Sequence, residues 1–480
     1  MLTSKMKEKS SNKILTIGWD HKLIQEIFPK VQKNADLNFA HFLFPKDYYF
    51  LKNHKINDFE LCKVDINKNL KYKINFKFLK ELEEGSNITF NNIILSDRVL
   101  REKKTDEAYW YISNLAEQMH DYVSRLSPLY LIGSWDAVIQ GVGMLVAKKL
   151  DIPFVVLKYS VIPRNHLSIC TYPNNYDEIP FTSNTYDNTY LKAKKARDNW
   201  INGFEKVPAY ESSKSIFDVI RILPTHINEI INRFNSDLKF GRNSFLNFSF
   251  LFLFRQFLRK KANILFMRKS IVITEVPNEK FIFYGLHMQP ESSIDVMAPF
   301  HSNQLEIVKS ISRAAPINYK VLVKIHISDA DNYSSKQLKE FLNIPNVILV
   351  SPFVGSKEFI LSSDLLISIQ GTIALEGALL GKPVIVFGNS AYLKFSTVKK
   401  VNIIEDLPML VEKQLGMIKV KDEQILADYT SLMLNYLPSS SDDWPTTLKN
   451  KLSSIEVSNY AAIFDQLSKY IKEGKFKYIN

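Results

Sequence analysis

Short apolar runs alternate along this chain with stretches whose apolar positions recur three and four residues apart, the periods of buried strands and of helices. In the N-terminal half, residues 13–17 (KILTI) read as a strand and Ile93–Leu95 as another short one. Glu107–Leu126 has helical periodicity, and the apolar run after Pro128 leads to Gly133. Ala137–Leu150 reads as a helix, Asp151–Pro153 as a turn and Phe154–Leu157 as a strand. Strand, helix, strand is the repeating unit of a parallel sheet.

The alternation then lapses. Residues 172–212, rich in Asn, Tyr, Asp and Thr, read as an irregular excursion, and Ile216–Phe234 as a helix kinked at Pro224. Residues 245–270 hold seven Phe, six Lys or Arg and no acid. A second set follows, with strands at Lys280–Tyr284, Lys320–Ile327, Val347–Val350, Leu365–Ile369 and Val384–Phe387. Its helices fall at Asn303–Ala314, Ser334–Leu342, Lys357–Ser362 and Ile373–Leu380, and everything after about Asp406 reads as helical. The expectation is an α/β protein with two Rossmann-type, doubly wound parallel-sheet domains. These are residues 1–205 and 271–405, with a basic aromatic helical linker at 206–270 and a helical segment at 406–480. Two such sheets facing across a cleft would place the ligand outside the carboxyl ends of their strands.

Composition narrows the class. A chain of 480 residues with 46% hydrophobic content can bury more than one core. A net charge of +12 favours anionic partners such as nucleotide phosphates, acidic polymers or anionic lipid. Two distant cysteines, Cys62 and Cys170, build neither a disulfide framework nor a zinc site. The polar start and a longest uncharged apolar run confined to residues 243–254 fit a cytoplasmic protein.

The stretch SDLLISIQGTIALEGALLGKPVIVFG, residues 363–388, carries the most chemistry. Gly371 falls where a strand ends and a helix begins, a place for positive φ or close backbone approach. Thr372 is placed to cap that helix, whose free N–H groups attract an anion. Glu376 lies one turn further on the same face, able to accept hydrogen bonds from a ribose or sugar hydroxyl. An ordinary capped helix is the structural alternative. Gly377-x-x-x-Gly381-Lys382-Pro383 is not a P-loop, because Pro stands where a magnesium-binding hydroxyl is needed. Gly141-Val142-Gly143 is no dinucleotide fingerprint, since it sits inside a helix and Val146 replaces the third glycine.

Residues 281–400 taken together, with FIFYGLHMQPESSIDVMAPFHSNQLEIVKSI, VLVKIHI, IPNVILVSP and the stretch above, resemble the capsule polysaccharide biosynthesis family, which includes Kdo transferases of capsule export. ILSDRVL and IPFVVLKYSVIPRN in the N-terminal half look like the same family. The resemblance implies a GT-B-like fold with an acceptor-side N-terminal half and a nucleotide-sugar-binding C-terminal half. It implies that Gly371 and Thr372 hold the donor phosphate, with Glu376 near the sugar or ribose. His287, Gln289 and Glu291 would line the cleft, and Lys324 and His326 match a Lys-x-His-Pro motif in which Ile327 here replaces the proline. Independently, Lys324 and His326 alternate along a strand and so share a face, where they can neutralise a leaving phosphate.

An inverting transfer needs a base near the acceptor hydroxyl. Asp136 and Asp97 are the candidates, each following an expected strand end. The alternatives are that Asp136 caps the helix beginning at Ala137, and that Asp97 pairs with Arg98 or caps a turn. Arg164, with Arg98, is placed to hold an acidic acceptor or a donor carboxylate. Asp329-Ala330-Asp331 has turn composition and reads as surface, so neither metal nor cofactor is expected beyond the nucleotide sugar as substrate. Residues 245–269 could lie on an anionic membrane surface, Phe side inward, which suits a peripheral enzyme with a polysaccharide or glycolipid acceptor; the alternative is a linker helix pair packed against both domains with its charges solvated. No RNA-binding signature accompanies them, so no nucleic-acid partner is expected. The function read from the sequence is a glycosyltransferase moving Kdo or another acidic sugar from a CMP donor to a bacterial surface polysaccharide or its lipid-linked precursor. The alternatives are a UDP-sugar hexosyltransferase, a sugar-phosphate transferase, or a non-catalytic subunit of a polysaccharide assembly.

Overall fold

The structure, a computed structural model, describes residues 12–19, 24–25, 27–34, 37–44, 48–49, 51–52, 60–64, 73–134, 138–171, 185–203, 255, 258–260, 262–263, 272–289, 291–330, 332–439 and 454–476. The described chain begins with β1 (Lys13–Ile17), α1 (Phe28–Asn34), β2 (Asn38–Leu43) and β3 (Glu60–Lys63). It continues through α2 (Phe76–Glu83), α3 (Phe90–Ser96), α4 (Thr105–Leu126), β4 (Tyr130–Gly133), α5 (Val138–Lys149), β5 (Phe154–Tyr159), β6 (His166–Thr171) and α6 (Tyr186–Gly203). The second series is β7 (Phe281–Gly285), α7 (Ser292–Asp295), α8 (Gln304–Ala314), β8 (Lys320–Lys324), α9 (Ser335–Leu342), β9 (Val347–Val350), α10 (Lys357–Ser362), β10 (Leu365–Ser368), α11 (Thr372–Leu379), β11 (Val384–Val386) and β12 (Val398–Lys400). Then come α12 (Leu407–Leu415), α13 (Asp422–Met433), β13 (Leu437–Pro438) and α14 (Ser454–Lys472).

Two compact units result. The first holds a seven-stranded sheet, β13-β6-β5-β4-β1-β2-β3, parallel from β5 to β3, with β6 and β13 antiparallel at one edge. The second holds an all-parallel six-stranded sheet, β12-β11-β10-β7-β8-β9. Both have the doubly wound order, in which the first strand lies inside and later strands are laid down to either side. Two such units in one chain is the domain composition of a GT-B-like protein. Strands such as β4 and β10 are buried along their whole length, which explains their unbroken apolar runs.

Unit 1 buries one layer under α4 and α5 and another under α1 and α14. Within α5, Gly141 and Gly143 serve packing: a methyl would stand 2.9 Å from Ile93 Cγ1 at the first and 2.7 Å from Ile17 Cδ1 at the second.

Several expectations change. Residues 93–95 belong to helix α3, whose start is capped by Thr89 Oγ1 accepting from Asn92 N–H at 3.1 Å. Strands β2 and β3 were not anticipated, and the supposedly irregular 172–212 contains α6. That helix belongs to unit 2, while β13 and α14 belong to unit 1, so the units are not the contiguous stretches 1–205 and 271–405. The kinked helix expected at 216–234, and most of 245–269, lie outside the described residues. Among the described residues no helix is long and apolar enough to cross a membrane.

Candidate functional site

Strand order in unit 2 reverses between β7 and β10. Chain leaving these neighbours turns to opposite faces, which opens a crevice at their carboxyl ends. The loop after β7 is fastened from α8. Gln304 Oε1 accepts from His287 N–H at 2.7 Å, and its Nε2 donates to His287 O at 2.9 Å and Gln289 Oε1 at 3.0 Å.

His287 is buried and reaches across to the end of β10. Its Nε2 accepts from Ile369 N–H at 3.2 Å and Gln370 N–H at 3.4 Å, and lies 3.2 Å from Ser368 Oγ. Backbone N–H groups aimed at Nε2 require that nitrogen to be unprotonated, so the ring proton sits on Nδ1. Burial, with the charge of His326 added, lowers its pKa to about 3. His287 is therefore a neutral acceptor that shapes the turn.

Ser368 Oγ in turn accepts from Gly371 N–H at 2.8 Å. Gly371 has φ −71° and ψ 164°, so positive φ is not why glycine stands here. A methyl would lie 3.0 Å from both His287 Cε1 and Ser368 Oγ. Close approach is the reason. The open N–H groups are accordingly not those of 371 and 372 but those of Thr372 and Ile373, which make no hydrogen bond among the described residues. Thr372 does not cap α11; its hydroxyl bonds to Glu376 one turn on. Glu376 is buried, and desolvation raises its pKa to about 7 against the opposing effect of that hydroxyl. Tyr392 lies within reach of the Glu376 charge, and its burial and that charge push its pKa up to about 12.

Beside β7, Lys324 ends β8 with its ammonium buried. Its one hydrogen bond among the described residues is to Ser351 O at 3.1 Å, and burial lowers its pKa to about 8. No carboxylate pairs with it among the described residues. His326 is exposed, and desolvation and Lys324 depress its pKa. The structure thus brings Lys324, His326 and His287 to one edge.

Gln289 is consumed internally, donating to Asp295 Oδ1 at 3.2 Å and Ser302 O at 2.9 Å. Glu291 precedes α7 and accepts from Ser293 Oγ at 2.7 Å. Both shape the loop. Asp329 is buried and takes a hydrogen bond from Asn332, which corrects the surface reading of that residue.

In unit 1, the Asp97 carboxylate accepts from Val99 and Leu100 N–H at 2.9 Å each and from Val138 N–H at 3.1 Å. It caps two helical starts and is no free base. Asp136 lies outside the described residues. Arg98 is exposed, and Arg164 is half-buried in the turn between β5 and β6.

Gln304, Ser368 and Gln370 are site residues that sequence reasoning missed. A polar residue closing an apolar strand, as Ser368 does, was the available signal.

No protein-family model matches the chain, and no curated protein is similar to it. Among solved structures it is similar to KpsC β-Kdo 2,4 transferase from Thermosulfurimonas dismutans, at 12% identity, covering 70% of this chain and 87% of that one, with TM-score 0.37. KpsC β-Kdo 2,7 transferase from the same organism gives 14%, 72%, 88% and 0.34. UDP-GlcNAc 2-epimerase from Methanocaldococcus jannaschii gives 13%, 88%, 97% and 0.26.

Proposed function

We propose that the chain is a glycosyltransferase whose unit 2 binds a nucleotide-activated sugar by its phosphate. The supporting observation is a buried Lys324 ammonium with a single carbonyl partner among the described residues, at the same strand edge as the open amides of Thr372 and Ile373. A buried cation without an acid is unfavourable until an anion arrives. Helix N–H groups aimed at the same region supply further stabilisation of a leaving phosphate. His287 acts through the turn and His326 from the exposed rim. A CMP-activated acidic sugar is the proposed donor and a surface polysaccharide or its lipid-linked precursor the proposed acceptor, in line with the motifs of residues 281–400. Asp136 is the remaining candidate for the base.

Thermal-shift screening against CMP, UDP, GDP and CDP tests donor binding, and a radiolabelled transfer assay tests the chemistry. Lys324→Met is expected to weaken the preferred nucleotide about tenfold or more. Stabilisation by none of the four nucleotides would remove the transferase reading. A preference for UDP would replace the donor.

A further inference from the structure

We infer that the edge beyond β11 and β12 carries a second oxyanion subsite, built from His301, Lys400 and Asn389, for a second negatively charged group of the donor. Its link to the donor rests on the phosphate site proposed at Thr372; the subsite itself stands on separate residues. His301 ends a short turn, Pro299–His301, and its ring lies 5.4 Å from that of Phe387, just past β11. The imidazole makes no hydrogen bond among the described residues. Lys400 closes β12 and gives its ammonium to Asn389 Oδ1 at 2.5 Å, its one hydrogen bond among the described residues. Both side chains are half-buried. The Lys400 charge acts on His301 and, with desolvation, lowers its pKa.

Two basic groups therefore come together with no carboxylate paired to either among the described residues. Some described cations do take acids, as in Lys309–Glu306 at 2.6 Å, Arg125–Asp121 at 3.0 Å and Lys469–Asp465 at 2.8 Å. Lys400 and burial oppose protonation of the His301 ring, and an oxyanion that enters and accepts from both offsets that opposition.

The corner is tied to the Thr372 turn by Gln370. Its N–H meets His287 Nε2, and its side-chain amide donates to Asn389 O. Gly388 leaves room for that side chain, since a methyl there would lie 2.5 Å from Gln370 Cγ. The ligand this fits carries one oxyanion at the α11 start and another displaced toward β12. That second group is a carboxylate on the sugar or a second phosphate.

The test follows the His301 ring by NMR in the full chain, with His301→Asn for assignment. Inorganic phosphate or acetate is expected to raise the His301 pKa by about half a unit or more. Lys400→Met should raise it without ligand and blunt the ligand response. A His301 pKa indifferent to both anions overturns the subsite, whether or not any nucleotide binds.

Calorimetry with CMP, UDP and CMP-N-acetylneuraminate then reads the ligand. His301→Asn and Lys400→Met are expected to weaken a probe with two oxyanions about tenfold and CMP less than about twofold. Loss confined to the carboxylate-bearing sugar nucleotide identifies a carboxylate, and loss confined to UDP a phosphate. Equal loss of CMP, or no loss of any probe, overturns the inference. Failure of the wild-type chain to bind any nucleotide counts against the proposed function and leaves the His301 titration to decide the subsite.

Discussion

Glu376 shows how one residue couples the site to stability. Its pKa stands at about 7 in the folded chain against an ordinary 4.5, because burial penalises the carboxylate. The folded state therefore holds this proton over a pH range in which the unfolded chain has released it. Stability is undiminished below the unfolded value and falls as pH rises toward the folded one. Glu376→Gln removes that dependence. The variant should be more stable than wild type by up to about 3 kcal/mol near pH 8, with the difference vanishing near pH 4.5. Urea unfolding at both pH values checks this; a difference independent of pH would mean that Glu376 is ionised and paired in the fold. Position after a strand made Gly371, Thr372, Glu376, Lys324 and His326 legible as candidates. What each does was not legible, because it depends on partners far along the chain. Ser368 and His287 are 81 residues apart, yet their contact decides which amides stay open. Asp97 likewise looked like a base until its acceptor capacity proved filled by Val138, 41 residues away.

Elements were legible where their buried stripe is apolar and hidden where it is not. Helix α6 buries Thr189, Ala193, Arg197 and Trp200, a helical spacing with only two apolar members. That is why the segment read as irregular. Arg197 is the anchor of this helix on unit 2. Its Nε donates to Leu379 O at 2.8 Å, and its two terminal nitrogens grip the Asp422 carboxylate at 2.8 and 2.6 Å. The Asp422 side chain is 74% exposed, so the ion pair itself is worth little in water. The buried bond to the end of α11 and the packed stem carry more. Arg197→Ala should thus cost about 2–3 kcal/mol, whereas Asp422→Asn should cost less than about 1 kcal/mol. Thermal unfolding of the two variants separates these contributions; equal losses would show that the ion pair dominates. The opposite error occurred at α3, where an Ile-Ile-Leu run suggested a strand. There the capping Thr89 outweighed β propensity.

At the scale of the whole molecule, the described chain leaves unit 1 after β6 and returns to it through β13 and α14. Period and propensity marked the end of the chain as helical, but they contain nothing about which core a late helix joins. The return is substantial. Phe464 is fully buried, with its ring 6.0 Å from Phe28 and 5.5 Å from Phe39, and Tyr460, Ile463 and Leu467 extend the same cluster. Tyr460 also meets Tyr159 of β5, hydroxyl to hydroxyl, at 3.2 Å. Emptying this layer leaves a cavity between α14 and the first strands of the chain, so Phe464→Ala should destabilise unit 1 by about 3–5 kcal/mol. Hydrogen exchange provides the readout. Protection should fall in β1, β2 and α1, more than 400 residues upstream of the substitution, while β7, β8 and β10 keep theirs. Loss confined to α14 would mean that the helix merely rests on a core complete without it. Loss spread equally over both sheets would mean that the units unfold together, and stability differences would then belong to the whole chain rather than to either unit.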